Sequence, residues 1–251
     1  MDESPSYPYF EDVNQGLLRL WAGRTNLDVL DIGCGFATTS HEIQKLGNRV
    51  TGIDSSAAAL TKAAERVGRV LHADIVNSDA VHAVIGTDQF DVMIFADVLE
   101  HLPWPQIVLR EYMRYLRPGG TVIVSLPNVG LWAVRLSMLA GRFEYADTGV
   151  LDRTHLRFFT RRSARALLAG ADLVPVRTTY NPGIVRPFVP LAKKFLAPSG
   201  GGQHNPSAIL ESRPYKLYMK TAYPLESAVT RLWPGLLAFQ MITESKRRTQ
   251  A

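Results

Sequence analysis

The run "ADVLEHL", residues 96–102, puts Asp97, Glu100 and His101 at i, i+3 and i+4. On a helix those positions share one turn and one face. Two carboxylates and an imidazole so placed suit a general base or half of a site for a divalent ion. The same spacing also suits a plain helix start, where acids in the first turn complement the dipole. Taken alone, the run reads first as that helix start. A second stretch, "LDRTHLRFFTRR" (151–162), holds His155 among four arginines and two phenylalanines. Read as a strand, "RTHLRFF" alternates Arg153, His155 and Arg157 against Thr154, Leu156 and Phe158, one polar face and one core face. Arg157 then suits a phosphate or a sugar carboxylate, or an internal pair with Glu144, Asp147 or Asp152. Arg161, Arg162 and Arg165 read as the solvated face of a following helix.

Upstream lie residues that suit a nucleoside. "DIGCGF" follows an apolar run, 27–33, and opens a helical pattern, with Gly33 and Gly35 allowing close backbone approach. Position 38 is Thr, so the third glycine of the dinucleotide fingerprint is missing and a nicotinamide reading is weakened. Asp54 ends "RVTGID" (49–54), where a carboxylate can accept both ribose hydroxyls. Asp74 in "HADI" can accept an exocyclic amine, with Ile75 against the ring. Each acid alone would serve as a turn former; three features in register at strand ends favour a ligand.

The elements that must position these groups follow a β-α rhythm. Strands are expected at 27–33, 49–54, 69–75, 90–98 and 121–127, with helices between, which implies a parallel sheet covered on both faces. Thr38 or Thr39 is the expected cap of the helix after the glycines. Past Pro127 the rhythm breaks. A short helix is expected at 130–140, a Thr160-capped helix after it, a strand at 173–180, a flexible "APSGGGQHNPS" loop, a short helix in "YPLESAVTRLW" and a last strand at 236–245.

Composition sets outer limits. With 251 residues, 46% hydrophobic and 20% charged, the chain suits one globular domain. Cys34, the single cysteine, excludes an internal disulfide framework. The N-terminal "MDESPSYPYF" has neither a basic nor an apolar signal region, and no run is apolar enough to span a bilayer, so a cytoplasmic location is expected. Residues 1–125 carry 16 acids and 10 bases, residues 126–251 carry 7 and 18. The basic second half suits an anionic or lipid-linked acceptor, a membrane surface, or only solvent.

The pieces "VLDIGCGFA", "VTGIDSS", "HADI", "FDVMIFADVLEHL" and "LRPGGTVIVSLPN", over roughly 27–128, resemble the class I S-adenosylmethionine-dependent methyltransferases. The resemblance implies an α/β, Rossmann-like seven-stranded sheet with an antiparallel last strand, in one domain over 1–251, with substrate-side insertions at 128–160 and 181–235. It implies S-adenosylmethionine as cofactor, held by Asp31, Gly33, Cys34, Gly35, Asp54, Ser55, Asp74, Ile75 and Asp97. Ala37 stands where the family often has another glycine. The chain is also similar, at Glu100, His101, "LPN" (126–128) and His155, to ubiquinone-pathway O-methyltransferases and to small-RNA 2′-O-methyltransferases. In those relatives the Glu and His side chains hold a divalent ion such as magnesium. That makes His155 and His101 the expected catalytic residues, and Glu100, His101 and His155 either the ligands of such an ion or a metal-free base pair. Asp97 is one methylene shorter than the glutamate it replaces.

Resemblance of "LDRTHLRFFT" to methyltransferases of polysaccharide and natural-product pathways makes a saccharide hydroxyl the leading acceptor, by analogy alone. An amine, an RNA 2′-hydroxyl and a cofactor-binding protein without catalysis are the alternatives. No nucleic-acid module is recognisable. Peripheral membrane contact and a homodimer complete the expected partners.

Overall fold

The computed structural model describes residues 13–188 and 213–248. A seven-stranded sheet has the order β3-β2-β1-β4-β5-β7-β6. Its strands are β1 (Asp28–Ile32), β2 (Arg49–Asp54), β3 (Arg69–His72), β4 (Phe90–Ala96), β5 (Leu116–Pro127), β6 (Leu173–Pro182) and β7 (Ala238–Arg247). The first five run parallel, while β7 is antiparallel to both β5 and β6. The expected Rossmann-like sheet with its reversed last strand is therefore present.

Helices cover both faces: α1 (Gln15–Trp21), α2 (Thr38–Lys45), α3 (Ala57–Ala63), α4 (Ser78–Ile85), α5 (Pro105–Tyr112), α6 (Trp132–Leu139), α7 (Arg161–Gly170), α8 (Arg213–Leu232) and the short α9 (Pro234–Leu237). Strand alternation shows why two layers are needed. Val92 and Ile94 of β4 join Trp21, Val29 and Ile43 in one core, while Met93 and Phe95 join Leu30, Leu109 and Leu168 in the other. Period-two apolar residues on both faces demand cover on both. A third cluster of Leu131, Val134 and Val150, with Phe239 against it, sits under the insertion after β5.

Caps set the helix starts. Asn14, Ser56 and Asn77 accept from the third residue beyond them, and Thr160 forms a reciprocal capping box with Ser163. The helix after the glycine loop departs from expectation. Its cap is Ala37 in the left-handed region, φ 52°, with no side-chain bond. Thr38 and Thr39 instead accept from Arg66 and from the Asn14 amide. The first amides of α2 are thus left without a side-chain cap, as an anion-accepting helix start requires.

Two further expectations fail. "RTHLRFF" is not a strand: residues 153–158 form turns, anchored by isolated bridges at Asp152 and Phe159. "YPLESAVTRLW" is part of the much longer α8. The helices α1 and α4 were not foreseen, each being only about two turns long, too short for a helical period to show. The "APSGGGQHNPS" loop and the "MDESPSYPYF" terminus lie outside the described residues. No described helix is long and apolar enough to cross a membrane.

Candidate active site

The glycine loop is shaped by conformation and by space. Gly33 and Gly35 have φ of 68° and 51°. A Cβ on Gly33 would come 2.5 Å from Val98 Cγ2. Both reasons exclude a side chain there. The Gly33 and Cys34 amides donate to the Ile53 carbonyl at 2.8 and 3.1 Å, tying the loop to β2. Asp54, buried at the end of β2, accepts from the Gly35 amide at 2.8 Å and the Ser56 amide at 2.9 Å. One carboxylate thus fixes the glycine loop and the start of α3, with acceptor capacity remaining for a ligand.

Asp31 is buried under the loop and accepts from Ser40 Oγ at 2.7 Å. Burial, opposed by that bond and assisted by the charge of Asp54, pushes its carboxyl up to about 7. Burial likewise raises the Cys34 thiol, which therefore stays protonated. Asp74 is exposed and accepts from the Val76 amide at 3.1 Å, while Ile75 is half-buried against the core. Ser55 is exposed, its carbonyl meeting His72 Nε2 at 2.9 Å. Asp31, the glycines, Asp54 and Asp74 therefore line the carboxyl ends of β1, β2 and β3.

Beyond β4 the arrangement differs from the helical face expected. Asp97 has φ 57°, so it lies outside the short 3-10 turn Leu99–His101 and cannot share its face with Glu100. Its carboxylate turns toward β5 and β7. Gln240 Nε2 donates to both its oxygens, at 2.5 and 2.6 Å, and Ser125 Oγ to Oδ1 at 3.1 Å. Gln240 Oε1 accepts in turn from Asn14 and Asn181, at 3.1 and 2.5 Å. Asp97 is thereby the centre of a polar network that holds α1, β5, β6 and β7 together. Burial raises its carboxyl, and the bonds from Gln240 and Ser125 oppose that.

Glu100, His101 and His155 do converge. Their ligand atoms lie within 4.8 Å of one another, and the two imidazole rings meet edge to face with centroids 4.7 Å apart. The insertion is held there through backbone. The Leu156 and Arg157 amides both donate to the Glu100 carbonyl, at 2.8 and 2.9 Å, and Val129 donates to Phe159 at 2.9 Å. Each imidazole has Nδ1 against a carbonyl, His101 on Thr154 at 3.2 Å and His155 on Val150 at 3.2 Å. A carbonyl only accepts, so Nδ1 carries the proton and Nε2 the lone pair. Burial pushes His101 down to about 4 and lowers His155, so both rings are neutral near pH 7.

Both Glu100 carboxylate oxygens are buried without a hydrogen-bond partner among the described residues. Burial first, then the charge of Asp97, raises this carboxyl well above the usual range. An orphaned buried carboxylate costs about 1–3 kcal/mol or more, which marks a group waiting for a partner. One carboxylate and two imidazoles with their far nitrogens anchored fit a divalent ion.

The arginines fall elsewhere. Arg153 is exposed and pairs with Asp147. Arg157 donates to the Pro103 carbonyl at 2.6 Å and lies over Trp104, and among the described residues it pairs with none of the acids named for it. Arg162 and Arg165 are exposed, as expected. Gln240, Ser125 and Asn14 were not foreseen. Gln240 did leave a trace, as a polar residue inside the apolar run "LLAFQMI".

Comparison with known proteins bears on the family and the fold. Residues 8–178 match the family model described as a methyltransferase domain. A ubiquinone biosynthesis O-methyltransferase of Cupriavidus pinatubonensis is 31% identical over 167 residues, covering 64% of this chain and 67% of that one. Another, from Pseudomonas aeruginosa, is 37% identical over 170 residues, covering 64% and 72%. The chain thus spans about two thirds of these relatives' lengths. Among solved structures, an S-adenosylmethionine-dependent methyltransferase from Archaeoglobus fulgidus superposes with TM-score 0.56 over 92% of this chain and 90% of that one, at 14% identity, a likeness of fold. The glycine loop, the acids at the strand ends and the reversed β7 thus have a common explanation: the chain belongs to the class I S-adenosylmethionine-dependent methyltransferases.

Proposed function

We propose that the protein transfers the methyl group of S-adenosylmethionine to a hydroxyl oxygen of a small ring-bearing acceptor. The observation that carries this is the buried Glu100–His101–His155 cluster with its unpartnered carboxylate. An amine acceptor would need only its lone pair, whereas a hydroxyl must lose a proton as it attacks. Asp31, Gly33, Gly35, Asp54, Asp74 and Ile75 are proposed to hold the cofactor, Asp54 on the ribose. The relatives named above are O-methyltransferases of ubiquinone biosynthesis, which supports a ring hydroxyl over the saccharide first expected. The aromatic side chains of Phe158, Phe143 and Tyr145 extend outward from His155, with Phe158 6.2 Å from His155 and 5.7 Å from Phe143. They suit a flat apolar ring.

Glu100, His101 and His155 would hold a divalent ion, which when bound lowers the pKa of a coordinated hydroxyl. The chain's own contribution is orientation and acid–base state. The Val150 and Thr154 carbonyls fix the rings so that Nε2 lone pairs converge. Without an ion, His155 Nε2 accepts the hydroxyl proton while oxygen forms its bond to the methyl carbon and the C–S bond breaks, leaving a neutral thioether. Asp97, tied to Gln240, shapes the wall between the two halves and does not join the Glu100, His101 and His155 group.

Labelled methyl transfer into small diols, with and without chelator, tests both parts. Activity lost on chelation and restored by magnesium supports the ion. Activity indifferent to chelator but lost in His155→Ala supports the imidazole base. Full activity in His155→Ala removes both.

A further inference from the structure

Beyond β6 the chain turns through residues 183–185 into a 3-10 turn, Arg186–Phe188. That turn is unusually well held. The Ile184 and Val185 amides donate to Oε1 of buried Glu226 on α8, at 2.7 and 3.0 Å. The other Glu226 oxygen accepts from Tyr218. The Gly183 carbonyl accepts from Trp132 Nε1 at 3.1 Å, and its amide donates to Leu237 at 2.9 Å. Three elements, α6, α8 and α9, thus fix the backbone just before Arg186.

The Arg186 side chain is fixed as well. Its guanidinium carbon lies 3.8 Å from the centroid of the Phe239 ring. Stacking uses the flat face and leaves the N–H edge available. Arg186 is exposed, and among the described residues no carboxylate or carbonyl bonds that edge. Its position is not remote. Phe239 packs in the cluster with Val150, whose carbonyl orients His155, and the next residue on β7, Gln240, holds Asp97. The charge of Arg186 reaches Asp97, as does that of His155.

A rigid, stacked guanidinium with an uncommitted edge, beside a hydroxyl-activating cluster, is built to receive a planar anion. We infer that Arg186 is a specificity residue that grips a carboxylate carried by the acceptor, away from the hydroxyl that is methylated. This rests on the proposed hydroxyl methylation. A carboxylate fits better than a phosphate, because Asp97 already supplies an acidic group within electrostatic reach of Arg186 and a dianion would meet more repulsion.

The test compares 3,4-dihydroxybenzoate with its methyl ester, the same ring and hydroxyls with and without the charge. Binding of each is titrated in the presence of S-adenosylhomocysteine and magnesium. Wild-type protein is expected to favour the acid by about tenfold or more, as a charge-assisted pair commonly does. In Arg186→Gln the two probes should bind alike, with ester and S-adenosylhomocysteine affinities unchanged. A preference that survives in Arg186→Gln overturns the inference. So does wild-type protein without the preference, including one that takes up neither probe. Methyl transfer is read in the same samples. If neither probe is methylated while the acid preference persists, hydroxyl methylation falls and Arg186 stands.

Discussion

The proposed cofactor and acceptor sides of the site handle buried polar groups in opposite ways. On the cofactor side, Asp54 is held by two loop amides and Asp31 by Ser40. Those bonds build the loop that a ligand then uses. On the acceptor side, Glu100 has no hydrogen-bond partner among the described residues, and the imidazoles beside it are kept neutral by burial. One side is complete without its ligand. The other stores an unfavourable arrangement that only a ligand, ion or proton relieves.

Separating the two sides by kinetics should show the largest effect. His155→Ala is expected to lower turnover by about a hundred- to ten-thousandfold, with cofactor affinity unchanged in a calorimetric titration. A parallel loss of cofactor binding would mean that the sides are not independent. Asp54→Ala should do the reverse. Cofactor affinity falls about ten- to a hundredfold, while turnover at saturating cofactor stays near wild type.

Stability should respond with opposite signs. Glu100→Met removes an orphaned carboxyl and is expected to raise unfolding stability by about 1–3 kcal/mol while abolishing activity. Ser40→Ala breaks a satisfied bond and should lower it by about 1 kcal/mol. Denaturant midpoints of the two variants check this, and a Glu100→Met variant less stable than wild type would sink the contrast.

A smaller effect concerns pH. In the fold His101 takes up a proton only near 4, and His155 is lowered too, whereas the unfolded chain protonates near 6.5. The unfolded state binds more protons in that window, so this pair costs stability as pH falls from 6.5 toward 4. Asp31 acts in the other direction, keeping its proton up to about 7 against an ordinary 3.8, so its contribution is lost as pH rises between those values. A double His101→Gln, His155→Gln variant should lose less stability than wild type on acidification, and Asp31→Asn less on neutralisation. Urea unfolding at several pH values reads both.

How much of this was legible follows from where each contact is made. The glycine loop, Asp31, Asp54 and the parallel strands are local: each strand, turn and helix start carries its own residues within about ten positions. Asp97 was misplaced because a left-handed residue breaks the helical spacing that seemed to join it to Glu100. The strand reading of "RTHLRFF" failed because its order comes from amides bonded to Glu100, more than fifty residues away, and not from a neighbouring strand.

By itself the sequence determined the parallel strands, the glycine loop and the acids at strand ends, since apolar period, glycine placement and strand ends are properties of short segments, while the resemblance supplied the grouping of Glu100, His101 and His155. Only the tertiary structure decided which of those groups meet. It turned Asp97 toward Gln240, buried Glu100 without a partner, set His155 against His101 and stacked Arg186 on Phe239. These are contacts between distant segments, whose geometry is fixed by packing against β7 and α8 rather than by any spacing along the chain.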